Sequence, residues 1–352
     1  MLNFALIGCG RISNRHSELL GNGQIVGARL AAVCDIVETK ARAIGDRFDV
    51  PVYTDMHEMM RIESIDIVVV LTESGLHARH VVELAPYGKH VVVEKPMALT
   101  LDDADAMIQA CDKFGVRLFV VKQNRFNVPV TKAREALEAG RFGKLVLGTV
   151  RVRWCRPQSY YDQASWRGTW ALDGGVLTNQ ASHHVDLLEW MMGDVESVYA
   201  KATTALAKIE AEDTAVVVLK FVNGALGVIE ATTAARPTDL EGSLSILGAG
   251  GTVEIGGFAV NLMKVWRFGE PCEGDADVLG RYSVNPPNVY GFGHQTYYEH
   301  VVECIVENKP HLVDGLVGRK SIELINAIYE SVETGQEVKL RFKPRYCRLG
   351  EA

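Results

Sequence analysis

In HVVVEKP a lysine, Lys95, stands between an acid, Glu94, and a proline. In LTNQASHHVDLLEWMMG two histidines, His183 and His184, are adjacent, with Asn179 four residues before the first. An imidazole titrates near neutrality unaided, and an amine can be brought there by burial or a neighbouring positive charge. Together they suit a reaction in which an alcohol loses a proton: one group takes it and the other holds the oxygen. Which does which is left open. Neighbours on a helix point about 100° apart, so the two histidines should differ in role. Projected as one helix, Leu177, Ala181, Val185, Leu188 and Met192 form an apolar stripe. His184 lies at its edge and reads as a satisfied packing residue. His183 lies opposite, beside Asn179, Asp186 and Trp190, and reads as facing a cleft.

An alcohol that loses a proton and a hydride needs a hydride acceptor, which is the work of a cofactor. ALIGCGRIS supplies Gly8-x-Gly10 after an apolar strand and before a helix, with Ser13 in the third glycine position. Glycines there allow a tight turn and bring backbone N–H groups to a pyrophosphate at the helix N-terminus. Asp35 ends the second apolar run, AAVCDI. A carboxylate at that place accepts hydrogen bonds from ribose hydroxyls and repels a 2′-phosphate, which favours NAD over NADP. A helix cap is the other reading of Asp35. Pro96 holds Lys95 in extended backbone at a strand exit.

These residues need elements to position them. Through about Gln123, fully apolar strands alternate with helical stretches, the pattern of a doubly wound parallel sheet. Beyond Lys144, long strands follow one another across short turns such as NG and GAGG, which predicts an antiparallel sheet flanked by helices. The expectation is an α/β chain: a Rossmann domain over 1–123, and over 124–352 an α+β domain with a large, mostly antiparallel open sheet that binds substrate and makes oligomer contacts. The chain has 352 residues, 47% of them hydrophobic, with a net charge of −7, which argues against a nucleic-acid or anionic-membrane partner. Seven cysteines without a Cys-x-x-Cys pair suggest a reducing compartment and no metal site. With no membrane-length apolar run or signal peptide, a cytoplasmic location is expected.

The segment RVRWCRPQSYYDQASWRGTW is rich in groups that grip anions and stack on rings. Strand alternation puts Arg151 and Arg153 on one face and Val150, Val152 and Trp154 on the other. By that parity Arg156 points to the covered side and is the favoured anion contact. Arg151 and Arg153 fit solvent or a subunit interface equally well. Tyr160, Tyr161 and His294 are weaker substrate candidates, with plain packing as their alternative.

ALIGCGRIS, LTESGLHARHVVELAPYGKHVVVEKPMA, WRG and GGVLTNQASHHVDLLEWMMG together resemble the glucose–fructose oxidoreductase/inositol dehydrogenase (Gfo/Idh/MocA) superfamily, nearly end to end. KPMALT, FVVKQNRFN, RWCRPQSYYDQASWRGTWALDGG and LEGSLSILGAGGTVEIGG are similar to its WlbA-type UDP-2-acetamido-2-deoxyglucuronate 3-dehydrogenases. That resemblance implies oxidation by NAD of the C3 hydroxyl of a UDP-sugar, for surface polysaccharide such as O-antigen and lipopolysaccharide. It also implies a homo-oligomer, a tetramer, built on the open sheet face. It places Gly8, Cys9, Gly10, Arg11, Ile12 and Asp35 at the adenosine and pyrophosphate. Thr72, Ser74, His77, Glu94, Lys95 and Asn124 fall at the nicotinamide, and Trp166 and Arg167 over the cofactor. Lys95 and His183 take the catalytic places. Lys95, Asn179 and His183 join Arg156, Tyr160, Tyr161 and His294, taken above from the residues themselves, as the expected substrate side. Many superfamily members carry Asp where this chain has Asn179, so a Lys–Asp–His proton relay is in doubt, because an amide accepts no proton at neutral pH. Two alternatives are a polyol or simple-sugar dehydrogenase and a non-catalytic NAD-binding sugar sensor.

Overall fold

The computed structural model describes residues 1–284, 292–340 and 348–350. The chain divides into two compact units: Met1–Val121 with His294–Lys320, and Lys122–Gly293 with Ser321–Ala352.

In the first unit, β1 (Leu2–Ile7), β2 (Ala28–Cys34), β3 (Val52–Tyr53), β4 (Ile67–Val70), β5 (His90–Val93) and β6 (Leu118–Val120) form one sheet in the order β3-β2-β1-β4-β5-β6. Every pairing in it is parallel. β4 is buried along its whole length, as expected of apolar strands covered on both faces. Strand order reverses between β1 and β4, and the loops that follow them, at Gly8 and Thr72, open at that switch point, where such sheets bind ligands. The leading stretch of the first unit ends at Val121. Residues 294–320 lie beyond that boundary in sequence yet pack with the first unit. Tyr298 stacks edge-on to Phe4, the His311 ring lies 4.4 Å from Phe119, and Arg319 pairs with Asp105. Non-local packing of this kind leaves no mark in the local pattern.

The second unit's sheet has β7 (Leu145–Arg153), β8 (Val195–Thr203), β9 (Thr214–Phe221), β10 (Leu226–Thr232), β11 (Glu241–Gly248), β12 (Gly251–Gly256), β13 (Leu262–Phe268) and β14 (Val338–Lys339). Its order is β13-β12-β11-β7-β10-β9-β8-β14. Neighbours are antiparallel except β7 and β10, which run parallel because a long helical excursion separates them. The helix Ser182–Met192 covers one face of β7: a Cβ at Gly148 would strike Met192 and Leu188. On the other face, Arg153 pairs with Glu230 and Glu241, Arg151 with Glu241, and Tyr199, Val216, Val218 and Leu226 are exposed.

The stretch containing the paired histidines is not one helix. Val176–Gln180 is a π-helical turn, and the α-helix starts at Ser182. A single projection at 100° per residue therefore does not carry across Ala181.

Candidate active site

The first unit carries a site that fits a dinucleotide. Gly8 has φ +93, and a Cβ there would come within 2.8 Å of the Leu71 backbone, so only glycine fits. Gly10 is exposed, with open space where a Cβ would stand, and leads into the helix Ser13–Gly21. Backbone N–H groups at such a helix start are the donors a pyrophosphate needs. Asp35 receives N–H groups from Cys9 at 2.7 Å and Val37 at 2.8 Å, so it pins the glycine loop to β2. A carboxylate has about four acceptor positions, and those two bonds leave room for ribose hydroxyls.

At the neighbouring strand exits, Thr72 Oγ1 meets His80 Nδ1 at 2.9 Å and Ser74 is buried. His77 does not present a free ring to a cofactor. It is 1% exposed, with Nδ1 at 2.8 Å from Pro96 O and Nε2 at 3.0 Å from Thr72 O, and burial lowers its pKa despite those two carbonyls. It braces the loop after β4 against the one after β5. Lys95 is half-buried, and its peptide to Pro96 is cis. At Glu94, expected at the nicotinamide, one oxygen accepts from Lys95 N at 2.9 Å and the other lies 3.0 Å from His16 Nε2. His294 is corrected as a substrate contact. It is 0% exposed inside the first unit, edge-on to His16 and 3.9 Å from Glu94.

In the second unit, His183 and His184 are both buried, at 7% and 0% exposure. His184 packs edge-on against Trp154, as its place beside the apolar stripe implied. It is not satisfied, however: neither ring nitrogen has a hydrogen-bond partner among the described residues, and burial pushes its pKa down to about 3. The face assigned to a cleft is also partly filled. Asp186 receives a two-pronged bond from Arg125 at 2.7 Å, and Lys122 and Ser321 approach it as well. Burial alone would raise the Asp186 carboxyl, but Arg125 and Lys122 outweigh it and hold it below the usual carboxylate range. Arg125 and Arg134 both lie 4.8 Å from the Trp190 ring. Asp186 and Trp190 thus anchor the helix. Asn124, expected at the cofactor, is buried in the short turn Gln123–Phe126 that carries Arg125.

The residues expected on the substrate side form a chain that sequence reading saw only in part. Asn179 donates from Nδ2 to Asp173 and accepts at Oδ1 from Gln180 Nε2 at 3.0 Å. Gln180 also donates to the Tyr160 hydroxyl at 3.0 Å and accepts from Arg156 Nε at 3.1 Å. Asp173 receives Gly168 N at 2.8 Å, next to Arg167. Asp173 and Gln180 were missed, although an acid immediately before the Gly174–Gly175 pair was a visible signal. Arg156 also donates Nη1 to Asp239 at 2.9 Å and to Cys155 O at 2.7 Å, while Nη2 has no partner among the described residues. Arg167 stacks at 4.1 Å on the Tyr160 ring, whose centroid is 5.5 Å from Arg156, and has no carboxylate partner among the described residues. Trp166, with its ring 5.6 Å from the Arg167 guanidinium, is half-exposed. Two guanidinium groups with donors to spare around one aromatic ring suit an anionic ligand. Tyr161 belongs to the packing: it is buried, bonded to Thr233 Oγ1 at 3.0 Å, and raised to about 12 chiefly by burial.

Behind the π turn, Glu212 is buried and receives Leu177 N and the Tyr329 hydroxyl, each at 2.9 Å. Burial dominates and raises its pKa to about 7.

Comparison with known proteins gives the family of the chain. Residues 2–122 match the NAD-binding Rossmann fold of an oxidoreductase family, and residues 134–340 match its C-terminal alpha/beta domain. The WlbA dehydrogenase of Bordetella pertussis, solved with NADH and UDP-GlcNAcA, is 42% identical at a TM-score of 0.89, covering 97% of this chain and 99% of that one. The WlbA dehydrogenase of Chromobacterium violaceum, in complex with the same two ligands, is also 42% identical, with a TM-score of 0.90 and coverage of 97% and 96%. A myo-inositol 2-dehydrogenase of Thermotoga maritima is 30% identical over 96% of this chain and 98% of its own. No helix among the described residues is long and apolar enough to cross a membrane.

Proposed function

Because the chain belongs to the Gfo/Idh/MocA oxidoreductase family and is an NAD-dependent sugar oxidoreductase, we propose that it oxidises the C3 hydroxyl of UDP-2-acetamido-2-deoxyglucuronate to the 3-keto sugar. The observation that carries this reading is the pair of guanidinium groups around Tyr160, Arg156 with an unused Nη2 and Arg167 without a carboxylate partner among the described residues. A UDP-uronate brings a diphosphate and a carboxylate, whereas a free polyol brings no charge to such a site. The WlbA dehydrogenases solved with UDP-GlcNAcA support the same substrate.

Gly8, Gly10 and Asp35 would hold and orient NAD, which would supply the hydride acceptor, and residues of this chain handle the proton. In this reading His183 takes the hydroxyl proton and Lys95 stabilises the oxygen; the exchanged assignment is the alternative. The Asp173–Asn179–Gln180–Arg156 chain orients the sugar side: the Asn179 amide, its direction fixed by Asp173 and Gln180, hydrogen-bonds the substrate without taking a proton. The exposed apolar face of the second sheet, with Val216, Val218, Tyr199 and Leu226, supports a homo-oligomer, in keeping with the tetramer the resemblance implies.

The Thermotoga relative favours a second reading, an inositol-type dehydrogenase. One experiment separates the two: NADH formation in a single turnover with NAD and a panel of UDP-uronates, UDP-hexoses and inositols. Signal with a UDP-uronate and none with inositol is expected. Turnover of inositol with silence on every UDP-uronate sinks the proposal.

A further inference from the structure

The mechanism makes no use of a buried polar cluster directly behind Lys95. His16 stands one turn into the helix Ser13–Gly21, Glu94 follows β5 directly, and Tyr298 and His294 come from the helix Gly293–Val306. All four are at most 6% exposed. His16 Nδ1 lies 2.6 Å from the Tyr298 hydroxyl, and His16 Nε2 lies 3.0 Å from Glu94 Oε1. The second Glu94 oxygen accepts the backbone N–H of Lys95 at 2.9 Å.

With the His16 ring neutral, the bonds of this chain run in a single direction. Lys95 N–H can only donate, so Glu94 accepts there. A carboxylate accepts from His16 as well, which puts the imidazole proton on Nε2 and makes Nδ1 an acceptor for the Tyr298 hydroxyl. Tyr298 is buried, which holds its phenol well above its ordinary range and keeps it a donor. Each member thus fixes the next, and the last bond is made to the main chain of the residue whose amine does the chemistry. The same helix begins at the glycine loop, so one rigid element joins the pyrophosphate cradle to the lysine.

We propose that His16 is a positioning residue for catalysis: through Glu94 it fixes the backbone at Lys95, and so the point from which the amine reaches the reacting oxygen. The proposal rests on the reading of Lys95 as catalytic. A merely structural histidine would show itself in melting temperature and cofactor affinity. A positioning histidine shows itself in kcat at unchanged KM.

The test measures kcat, KM for NAD and for UDP-2-acetamido-2-deoxyglucuronate, and melting temperature for the full chain and four variants. His16→Ala should lose about 10- to 100-fold in kcat, the cost of a small misplacement of a reacting group, with both KM values within about 2-fold. His16→Gln, whose amide can still donate to Glu94, should recover most of that loss, and added imidazole should partly rescue His16→Ala. Tyr298→Phe should lose several-fold in kcat. Lys95→Met serves as the reference. If it is inactive while His16→Ala folds and keeps its kcat, the reading of Lys95 stands and the positioning role is overturned. If Lys95→Met turns over normally, both fall. Should His16→Ala fail to fold, Tyr298→Phe decides: a drop in kcat at constant KM supports the proposal, and an unchanged kcat defeats it.

Discussion

Two pairs of neighbouring residues, one in each unit, set a candidate catalytic group beside a buried partner, and they bury that partner in opposite ways. At the exit of β5, Glu94 turns inward beside Lys95 and finds acceptor work for both oxygens. On the helix Ser182–Met192, His184 turns inward beside His183 and finds no hydrogen bond among the described residues, only an edge-on contact with Trp154. A carboxylate taken out of water must be paired or neutralised, so its surroundings become a network. An imidazole can shed its proton and be packed as an aromatic ring, and burial that pushes His184 to about 3 does so. The first pair is held by directional bonds and the second by shape.

The sharpest way to break this comparison is to exchange the active and buried members. Lys95→Met and His183→Ala should each lower kcat by about 10²- to 10⁴-fold, the range of one acid–base group, with circular dichroism unchanged. His184→Leu keeps the packing volume and should retain most of the turnover. A His184→Leu enzyme as inactive as His183→Ala would mean that the inward ring also takes part in the chemistry.

A somewhat smaller effect tests the helix itself. Asp186→Asn strips the charge that faces Arg125 and Lys122 in the buried interior. Taking that carboxylate charge from two buried cations should cost about 3–5 kcal/mol in urea unfolding. A loss under about 1 kcal/mol would show that water or another anion reaches the pair, so that this part of the helix is less closed than its burial indicates.

These contrasts explain what was legible in the sequence. Both sheets could be read, because strand periodicity and the NG and GAGG turns are local signals. Gly8 and Asp35 were legible for the same reason: a short loop after a strand determines its own geometry. The packing of His294, Tyr161 and Asp186 had no local signal, because their partners, Glu94, Thr233 and Arg125, lie far away in sequence. The break at Ala181 was hidden for a related reason. The π turn is anchored at Leu177 N by Glu212, from a different segment, and no helix propensity reports that. The satisfied state assumed for His184 failed because burial was inferable from the apolar stripe, whereas hydrogen bonding was not.

Glu212 sharpens the comparison further, because it sets one buried glutamate against another. Glu94 has histidines around it; they outweigh the burial that would raise it and hold it well below the usual range. Glu212 has only neutral donors and the charge of Asp173 nearby, and burial lifts it to about 7. Its proton is therefore held more tightly in the folded chain than in the unfolded one. Between about pH 4.5 and 7 the folded state binds the extra proton, so stability should fall as pH rises through that window, by about 3 kcal/mol in all. Glu212→Gln keeps an oxygen for Leu177 N and Tyr329 and has no proton to lose. Urea midpoints at pH 5, 6, 7 and 8 should show the wild type losing ground to the variant at each step. Parallel curves would mean that Glu212 stays ionised, and that a buried carboxylate in this fold can be held by neutral donors alone.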